Sequence, residues 1–273
     1  MLPLIFSLGN VNISPLGIFL ALAFLLTVFA FWRSCRDTLS NDNIFDLLFS
    51  VMTLGIVFSR LQYVLLHWDK FNSNWLRVFL FLRYPGFSFL FGLVSAIIII
   101  LLFSHRRRFS FLFVLDRFSI GLTLGILFCS IGFFLSGTGA GVVTKFPLGF
   151  YFPGYIGARH PLSLYEAVIM LFLLCAFYFI GRRYPNHQEG ILISLFTVIL
   201  GVSLFLLEFL RFGDVYSISS IRIGHILGLF LMAGGIIFLS RKGFFTLLVP
   251  EKPALIQKLC RWINSILFRK KEV

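Results

Sequence analysis

The sequence has little charge, and acidic residues are especially few. Only 13% of its 273 residues are charged, and 11 Asp and Glu stand against 24 Lys and Arg, for a formal net charge of +13. Because soluble domains carry about a quarter charged residues, this composition excludes an ordinary water-soluble enzyme. Hydrophobic residues make up 59% of the chain and include 37 Phe. Such a chain cannot stay solvated, which also excludes intrinsic disorder.

Paired cysteines and metal-binding clusters are missing from the sequence. The four cysteines, Cys35, Cys129, Cys175 and Cys260, form no C-x-x-C pair and have no His at metal-ligand spacing. This pattern excludes a disulfide framework and a zinc site. The Gly-rich stretch 136–141 has no Lys where a phosphate-binding loop needs one, so it does not predict a nucleotide site. We therefore expect neither a metal nor a cofactor.

Long apolar runs dominate what is present. A helix needs about 20 mostly apolar residues to cross a bilayer, and the chain contains seven runs of about this length between charged breaks. They are Leu16–Trp32, Ile44–Trp68, Phe87–Phe103, Phe111–Leu135, Leu162–Ile180, Ile191–Phe209 and Ile223–Leu239. The sequence thus predicts an all-α, polytopic membrane protein with about seven transmembrane helices. The long break 136–161 is a candidate re-entrant segment.

The positive charge lies mainly in the breaks on one side of the predicted membrane. Fifteen Lys and Arg fall on that side and seven on the other. Because cytoplasmic loops carry the excess of Lys and Arg, we predict an outside N-terminus and a cytoplasmic C-terminus. The same distribution excludes nucleic acid as a partner, since these basic residues lie at the ends of spans, where membrane lipids account for them.

The chain is predicted to divide at about residue 240. Residues 1–240 form the seven-span transmembrane domain, and residues 241–273 form a basic cytoplasmic tail. In the tail, residues 255–267 place apolar side chains at helical spacing with cations between them, a pattern typical of an amphipathic helix on the membrane surface. The alternative is a frayed basic tail.

Ionisable side chains within apolar runs are costly and usually face an interior cavity. Arg60 is followed by Gln62 and Tyr63, and its guanidinium is suited to bidentate phosphate binding; the alternative is that it snorkels to the outer interface. Glu208 and Arg211 are three residues apart and share one helix face. They form either part of a binding site or a purely structural ion pair.

The densest polar cluster is the segment 159–166. Arg159, His160, Tyr165 and Glu166 bring together a cation, an imidazole, a hydroxyl and a carboxylate at the outer mouth of a span. Pro161 favours a helix start at this point, and the free N–H groups of a helix start attract anions. The cluster indicates an anion-binding or catalytic site, although helix capping with interfacial aromatics gives the same pattern.

Several segments match known motifs. Residues 160–166 read H-P-L-S-L-Y-E, close to the signature H-P-S-Q-L-Y-E. Arg60 with Tyr63-Val64 is similar to a G-R-x-G-Y-V segment, and residues 86–92 are similar to a G-G-M-S-F-H-G-G segment. Glu208 with Arg211 matches E-F-x-R, and Gly224-His225-Ile226-Leu227 is similar to G-Q-I-L. Together with the seven predicted spans, these motifs resemble the bacterial prolipoprotein diacylglyceryl transferase family over nearly the whole chain.

The chain departs from the family motifs at charged and polar positions. A family His is replaced by Leu90, and two family Arg are replaced by Ser130 and Leu204. In the G-R-x-G-N-F-x-N-G-E signature both Asn are also lost and the Glu is Thr138. These substitutions change the chemistry expected of a site built on the family pattern.

The resemblance implies a transferase that moves diacylglyceryl from phosphatidylglycerol to the lipobox cysteine thiol of a prolipoprotein, in the bacterial inner membrane. Its partners are then phosphatidylglycerol, prolipoprotein signal peptides and membrane lipids. His160, Tyr165 and Glu166 are the expected catalytic residues, with His160 or His225 as the base. The expected substrate-binding residues are Arg60, Tyr63, Ser130, Arg159, Glu208, Arg211 and His225. Two alternatives are a non-catalytic lipid- or lipoprotein-binding homologue and a transferase with a different lipid donor.

Overall fold

The computed structural model describes residues 6–8, 11–71, 75–78, 80, 84, 86–184, 188–213, 217–218 and 221–241. The predicted tail helix at 255–267 lies outside these residues, as does nearly all of the predicted basic tail.

Most described residues are helical. The α-helices are α1 (Pro15–Cys35), α2 (Asn41–Leu66), α3 (Trp68–Phe71), α4 (Phe89–Arg107), α5 (Phe111–Leu135), α6 (Leu162–Arg183), α7 (Ile191–Phe209) and α8 (Ile223–Arg241). A single 3-10 turn covers Trp75–Val78. The chain also forms short strands: β1 (Phe6–Leu8), β2 (Val11–Ile13), β3 (Ala140–Val143), β4 (Phe150–Tyr151), β5 (Ala158–Pro161), β6 (Ser217–Ile218) and β7 (Ile221–Arg222).

Six of these helices, α1, α2, α5, α6, α7 and α8, are long and apolar enough to cross a membrane. This confirms the prediction of a mostly helical, multi-pass membrane protein. Helix α4 has 19 residues and overlaps the third predicted span, Phe87–Phe103, but extends four residues past its end. Its passage through the membrane stays a prediction, as does the orientation of the termini.

The long helices carry large apolar side chains on their outer surfaces. Phe172 on α6 is 70% exposed and Phe230 on α8 is 75% exposed. Exposed apolar surface of this kind is unfavourable in water and marks a surface that contacts another apolar medium. Hydrocarbon tails of lipids are the natural medium for helices of this length.

The chain divides into two compact units. One unit comprises Met1–Ala30 and Phe118–Val273, and the other comprises Phe31–Arg117. In the first unit, α6 and α7 enclose a buried core that includes Met170, Leu173 and Phe196. In the second unit, α2 packs against α4. The Ser88 backbone N–H donates to the Ser59 backbone oxygen at 3.1 Å, and the Ser59 hydroxyl donates to the Ser88 backbone oxygen at 2.7 Å.

Close contact between α7 and α8 depends on glycine. A Cβ on Gly228 would lie 2.8 Å from the backbone oxygen of Gly201 and 2.8 Å from the backbone nitrogen of Phe205. Without side chains at these positions the two backbones approach each other directly, as is common between membrane helices. The pairing fixes α8 against the part of α7 that precedes Glu208.

Replacing Gly228 with Ala is therefore expected to lower the free energy of unfolding by about 1–3 kcal/mol, because the new methyl group overpacks the contact. Gly234→Ala on the same helix is the matched control, since a Cβ there meets nothing within 4 Å. It should be neutral or stabilising by up to about 1 kcal/mol. Unfolding of the two variants in detergent measures the difference, and equal stabilities would show that the Gly228 contact is not tight.

The predicted break between α5 and α6 contains a small antiparallel sheet. Its strand order is β3-β5-β4, with Phe150 paired to Arg159 and Tyr151 paired to Ala158. Central strand β5 leads directly into α6, so the sheet fixes the backbone of residues 158–161 at the start of that helix. Strands of two to four residues show no clear alternation of apolar and polar residues, and sequence reasoning therefore missed them.

Candidate functional site

A cavity of about 440 Å³ lies in the first unit, between the sheet and helices α5, α6 and α7. It is lined by Phe133, Thr138, Gly139, Ala140, Tyr155, Leu162, Ser163, Glu166, Leu204, Leu207, Glu208, Arg211 and Phe212. Three residues predicted for the site, Glu166, Glu208 and Arg211, are among them. Among the described residues, no group of His, Cys, Asp and Glu is arranged to hold a metal ion.

Glu166 of α6 is held by Ser130 of α5. The Ser130 hydroxyl donates a 2.9 Å hydrogen bond to Oε2 of Glu166, and Ser130 is only 1% exposed. Glu166 itself is half-buried. A buried hydroxyl that donates to a carboxylate fixes its orientation and stabilises its charged form. The two residues therefore present a fixed carboxylate at the cavity wall.

Glu208 and Arg211 form an ion pair at the end of α7. The distance from Oε2 of Glu208 to the Arg211 guanidinium is 3.2 Å, and the exposed fractions of the two side chains are 2% and 48%. Oε1 of Glu208 is buried and has no hydrogen-bond partner among the described residues. The carboxylate is thus enclosed, whereas the cation is available at the cavity for an anionic ligand.

Two residues that sequence reasoning missed hold this ion pair in place. The Arg222 guanidinium donates to the backbone oxygens of Glu208 and Arg211, at 2.8 and 2.9 Å. A cation at this position also suits the negative end of the α7 dipole. A Cβ on Gly224 would lie 2.5 Å from Oε2 of Glu208, so only glycine leaves room for the carboxylate. In the sequence, Gly224 stands out only through the Gly224-His225-Ile226-Leu227 motif match. Arg222 has no signal beyond its position just before the last apolar run.

Two glycines in residues 136–161, the sheet segment between α5 and α6, place its backbone close to α6 and α7. Gly139 has a φ of +81°, which L side chains rarely adopt, and its oxygen accepts a 3.1 Å bond from the Leu162 N–H. Gly141 forms an isolated β-bridge with Arg211, where a Cβ would lie 2.7 Å from the Leu210 oxygen. These contacts join the sheet to the start of α6 and to the end of α7.

Arg159, in the central strand β5, is buried and is not among the residues that line the cavity. Its guanidinium donates to the Gly141 oxygen at 3.0 Å and lies 4.7 and 4.0 Å from the ring centres of Tyr155 and Phe212. Both aromatic residues line the cavity. Arg159 therefore fixes two parts of the cavity wall through cation–π contacts.

The two predicted histidines lie outside the set of cavity-lining residues. Nδ1 of His160 is 3.0 Å from the Tyr165 hydroxyl oxygen, which joins two of the predicted catalytic residues to each other. His225 packs against Phe205 and Phe209, with ring centres 5.4 and 4.4 Å away. Its Nε2 is buried without a hydrogen-bond partner in the part of the chain that the structure describes.

Arg60 and Tyr63 lie in the second unit. Three nitrogens of the Arg60 guanidinium donate to the backbone oxygens of Val78, Gly86 and Arg77, at 3.1, 2.8 and 3.3 Å. Its charge also lies 5.8 Å from the ring centre of Tyr63. This geometry favours a role in holding the chain between α2 and α4.

Comparison with known proteins supports the resemblance found in the motifs. The family model described as "Prolipoprotein diacylglyceryl transferase" matches residues 3–241. A relative from Idiomarina loihiensis is 32% identical over 222 residues, which cover 78% of this chain and 82% of the relative. Relatives from Finegoldia magna and Wolbachia pipientis are 27% and 29% identical, and the matches cover 85% and 89% of this chain and 92% and 95% of those proteins.

All three relatives are named phosphatidylglycerol–prolipoprotein diacylglyceryl transferase. The family-model match over residues 3–241 includes every described helix and all the residues that line the cavity. The chain belongs to the prolipoprotein diacylglyceryl transferase family.

Proposed function

We propose that this protein transfers the diacylglyceryl group of phosphatidylglycerol to the thiol of a lipobox cysteine in a prolipoprotein, at the outer face of the bacterial inner membrane. The observation that carries the proposal is the cavity of the first unit, where the half-exposed Arg211 stands beside the carboxylates of Glu166 and Glu208. The family match over residues 3–241 supports the same reaction.

The reaction is a substitution at carbon. The cysteine sulfur forms a bond to the diacylglyceryl carbon, and the bond from that carbon to the phosphate oxygen breaks. The electron pair stays on the oxygen, so glycerol phosphate leaves with one more negative charge. The thiol must lose its proton because the thiolate is the nucleophile. A site for this chemistry needs a cation at the phosphate and a proton acceptor at the thiol.

The residues of the first unit divide between these tasks. Arg211 is the phosphate-binding cation, since its side chain is half-exposed at the cavity and held by Glu208. Glu166 is assigned to the side of the cavity where the thiol loses its proton. His160 and Tyr165 support the start of α6 through their mutual hydrogen bond, and Arg159 supports the aromatic wall. His225 packs beside the segment that carries Glu208.

A second candidate function is binding of lipid or lipoprotein without catalysis. The observation that favours it is the loss of charge at family positions, because the cavity residue Leu204 stands where the resemblance places an Arg. Ser130 replaces another Arg, and Leu90 replaces a His. A transferase that uses a different lipid donor fits the same substitutions.

The test is transfer of labelled diacylglyceryl from phosphatidylglycerol vesicles to a lipobox peptide by the purified full-length protein. We expect a thioether-linked product with the wild type, and about 100-fold less with Arg211→Gln, the loss typical of one missing charge-stabilising group. Arg182→Gln is the matched control, because it removes an exposed cation of α6 whose guanidinium donates a hydrogen bond to the Tyr178 hydroxyl.

The outcomes separate the candidates. Product from phosphatidylglycerol supports the proposed transferase. Product from another phospholipid in a donor panel supports the altered-donor transferase. Saturable lipid binding without product from any donor supports the non-catalytic homologue.

A further inference from the structure

We infer that Glu166 accepts the proton of the attacking thiol and that Ser130 is the positioning residue that aims it. This assignment rests on the proposed transfer reaction and names the proton acceptor within it. It depends on the contacts at the cavity wall, where a carboxylate that is partly open to the cavity is fixed by a buried hydroxyl.

The other acidic residue at the cavity is already engaged. Glu208 is 2% exposed and its Oε2 lies 3.2 Å from the Arg211 guanidinium. Gly224 packs directly on the same oxygen. Its other oxygen, Oε1, is buried, so a substrate thiol cannot reach the carboxylate without displacing the groups packed around it. Its geometry suits the holding of Arg211.

The histidines are placed less well than Glu166. Nδ1 of His160 is hydrogen-bonded to the Tyr165 hydroxyl, and the His225 ring packs against Phe205 and Phe209. Within the described residues, neither imidazole lines the cavity. A general base must lie within hydrogen-bond reach of the proton it takes, so the geometry favours Glu166.

Ser130 fixes the orientation of the Glu166 carboxylate. It is 1% exposed and donates to Oε2 from the neighbouring helix. A hydroxyl donates only one proton, so the second carboxylate oxygen is left for a substrate. At the position where the resemblance places an Arg, the smaller Ser130 orients Glu166 without neutralising it. The carboxylate therefore keeps its capacity to take a proton.

The charged and titratable groups around Glu166 come from two helices and the sheet segment. Glu208 of α7 and Arg211 just after that helix line the same cavity, and Tyr155 of the sheet segment also lines it. From α5, Cys129 is close enough to interact electrostatically with Glu166, as Arg211 is. Arg211 is the cation in this set, so the phosphate is expected to bind on its side of the cavity and the thiol on the Glu166 side.

The proton can be followed through the step. Glu166 takes it as the S–C bond forms and the C–O bond to the phosphate breaks. The departing phosphate oxygen receives the electron pair, next to Arg211. Glycerol phosphate is a stronger base than the diester from which it came, so the proton passes from Glu166 to it before release. No oxidant, metal or cofactor is needed for the balance.

The experiment compares two lipobox peptides that differ only in the nucleophile, one with cysteine and one with selenocysteine. A selenol is ionised at neutral pH without help from a base. Glu166→Gln is expected to reduce transfer to the cysteine peptide by about 100-fold or more, the usual contribution of a general base, and to leave transfer to the selenocysteine peptide within about threefold of the wild type. Glu208→Gln is the matched control and should reduce transfer to both peptides equally.

Ser130 is tested by a pair of variants. Ser130→Ala should lower kcat for the cysteine peptide about tenfold, equivalent to about 1.4 kcal/mol, with KM for phosphatidylglycerol unchanged and the selenocysteine rate kept. Ser130→Thr retains the hydroxyl and should restore most of the cysteine rate. A merely structural role for Ser130 would reduce both peptide rates together.

Three results would overturn the assignment, and they differ in meaning. Equal losses for both peptides in Glu166→Gln would show that Glu166 acts in binding and is not the proton acceptor. Full transfer to cysteine in the same variant would remove Glu166 from the reaction. Wild-type protein that transfers to neither peptide would overturn the proposed function itself, and the proton acceptor with it.

Discussion

Replacing Arg211 with Ala is expected to abolish measurable transfer and also to destabilise the fold. Transfer should fall by at least about 100-fold, because no cation then meets the charge that develops on the leaving phosphate. The free energy of unfolding should fall by about 1–3 kcal/mol, since the buried carboxylate of Glu208 loses its charged partner. The exposure of Arg211, 48%, keeps this cost below that of a fully buried pair. The transfer assay and unfolding in detergent measure the two effects.

A double variant separates the two effects. In Arg211→Ala with Glu208→Gln, the buried group is neutral and no longer needs a cation, so we expect most of the lost stability to return. Transfer should stay undetectable, because the phosphate-binding charge is still missing. Arg211→Lys keeps the charge without the planar fork and should retain part of the activity. If the double variant recovered transfer, Arg211 would have only a structural role.

The membrane helices were predictable because their signal is long and physically simple. Helices α5 and α7 begin and end at the residues predicted for them, Phe111–Leu135 and Ile191–Phe209. An apolar run of about 20 residues between charged breaks has few other stable structures. The sheet at 140–161 was not predicted, since its strands are too short to show a period. It depends on pairings between β3, β5 and β4 that no local pattern records.

The cavity was predictable only in part. Glu166, Glu208 and Arg211 were singled out because charged groups within apolar runs must face a protected interior, and they do line one cavity. The partners that orient them were harder to find. Ser130 was expected to contact substrate, and the structure shows that it donates to Glu166. Arg222 acts through backbone oxygens, which leave no pattern in a single sequence. Gly224 was part of a motif match, but its role, leaving room for the Glu208 carboxylate, depends on a contact that the motif does not show.

The second large effect is expected at Arg60, in the other unit of the chain. Arg60→Ala should lower the free energy of unfolding by about 3 kcal/mol, because hydrogen bonds from a charged group contribute about 1.5–3 kcal/mol each and their contributions are not additive. Arg60 is 7% exposed and serves three carbonyl oxygens, on Arg77, Val78 and Gly86. Unfolding in detergent measures the stability. Hydrogen exchange at the Ser88 amide, which donates to Ser59, reports whether the same segment loosens.

Arg107→Gln is the matched control in this unit, because its ion pair with Asp46 is about half exposed and such pairs contribute about 1 kcal/mol or less. Phosphatidylglycerol binding by the Arg60 variants decides between the two interpretations of this residue. If Arg60 mainly holds the segment, Arg60→Lys should regain part of the stability and lipid binding should follow stability in both variants. If it mainly clamps a phosphate, Arg60→Ala should lose lipid binding while its stability stays within about 0.5 kcal/mol of the wild type, as for surface substitutions.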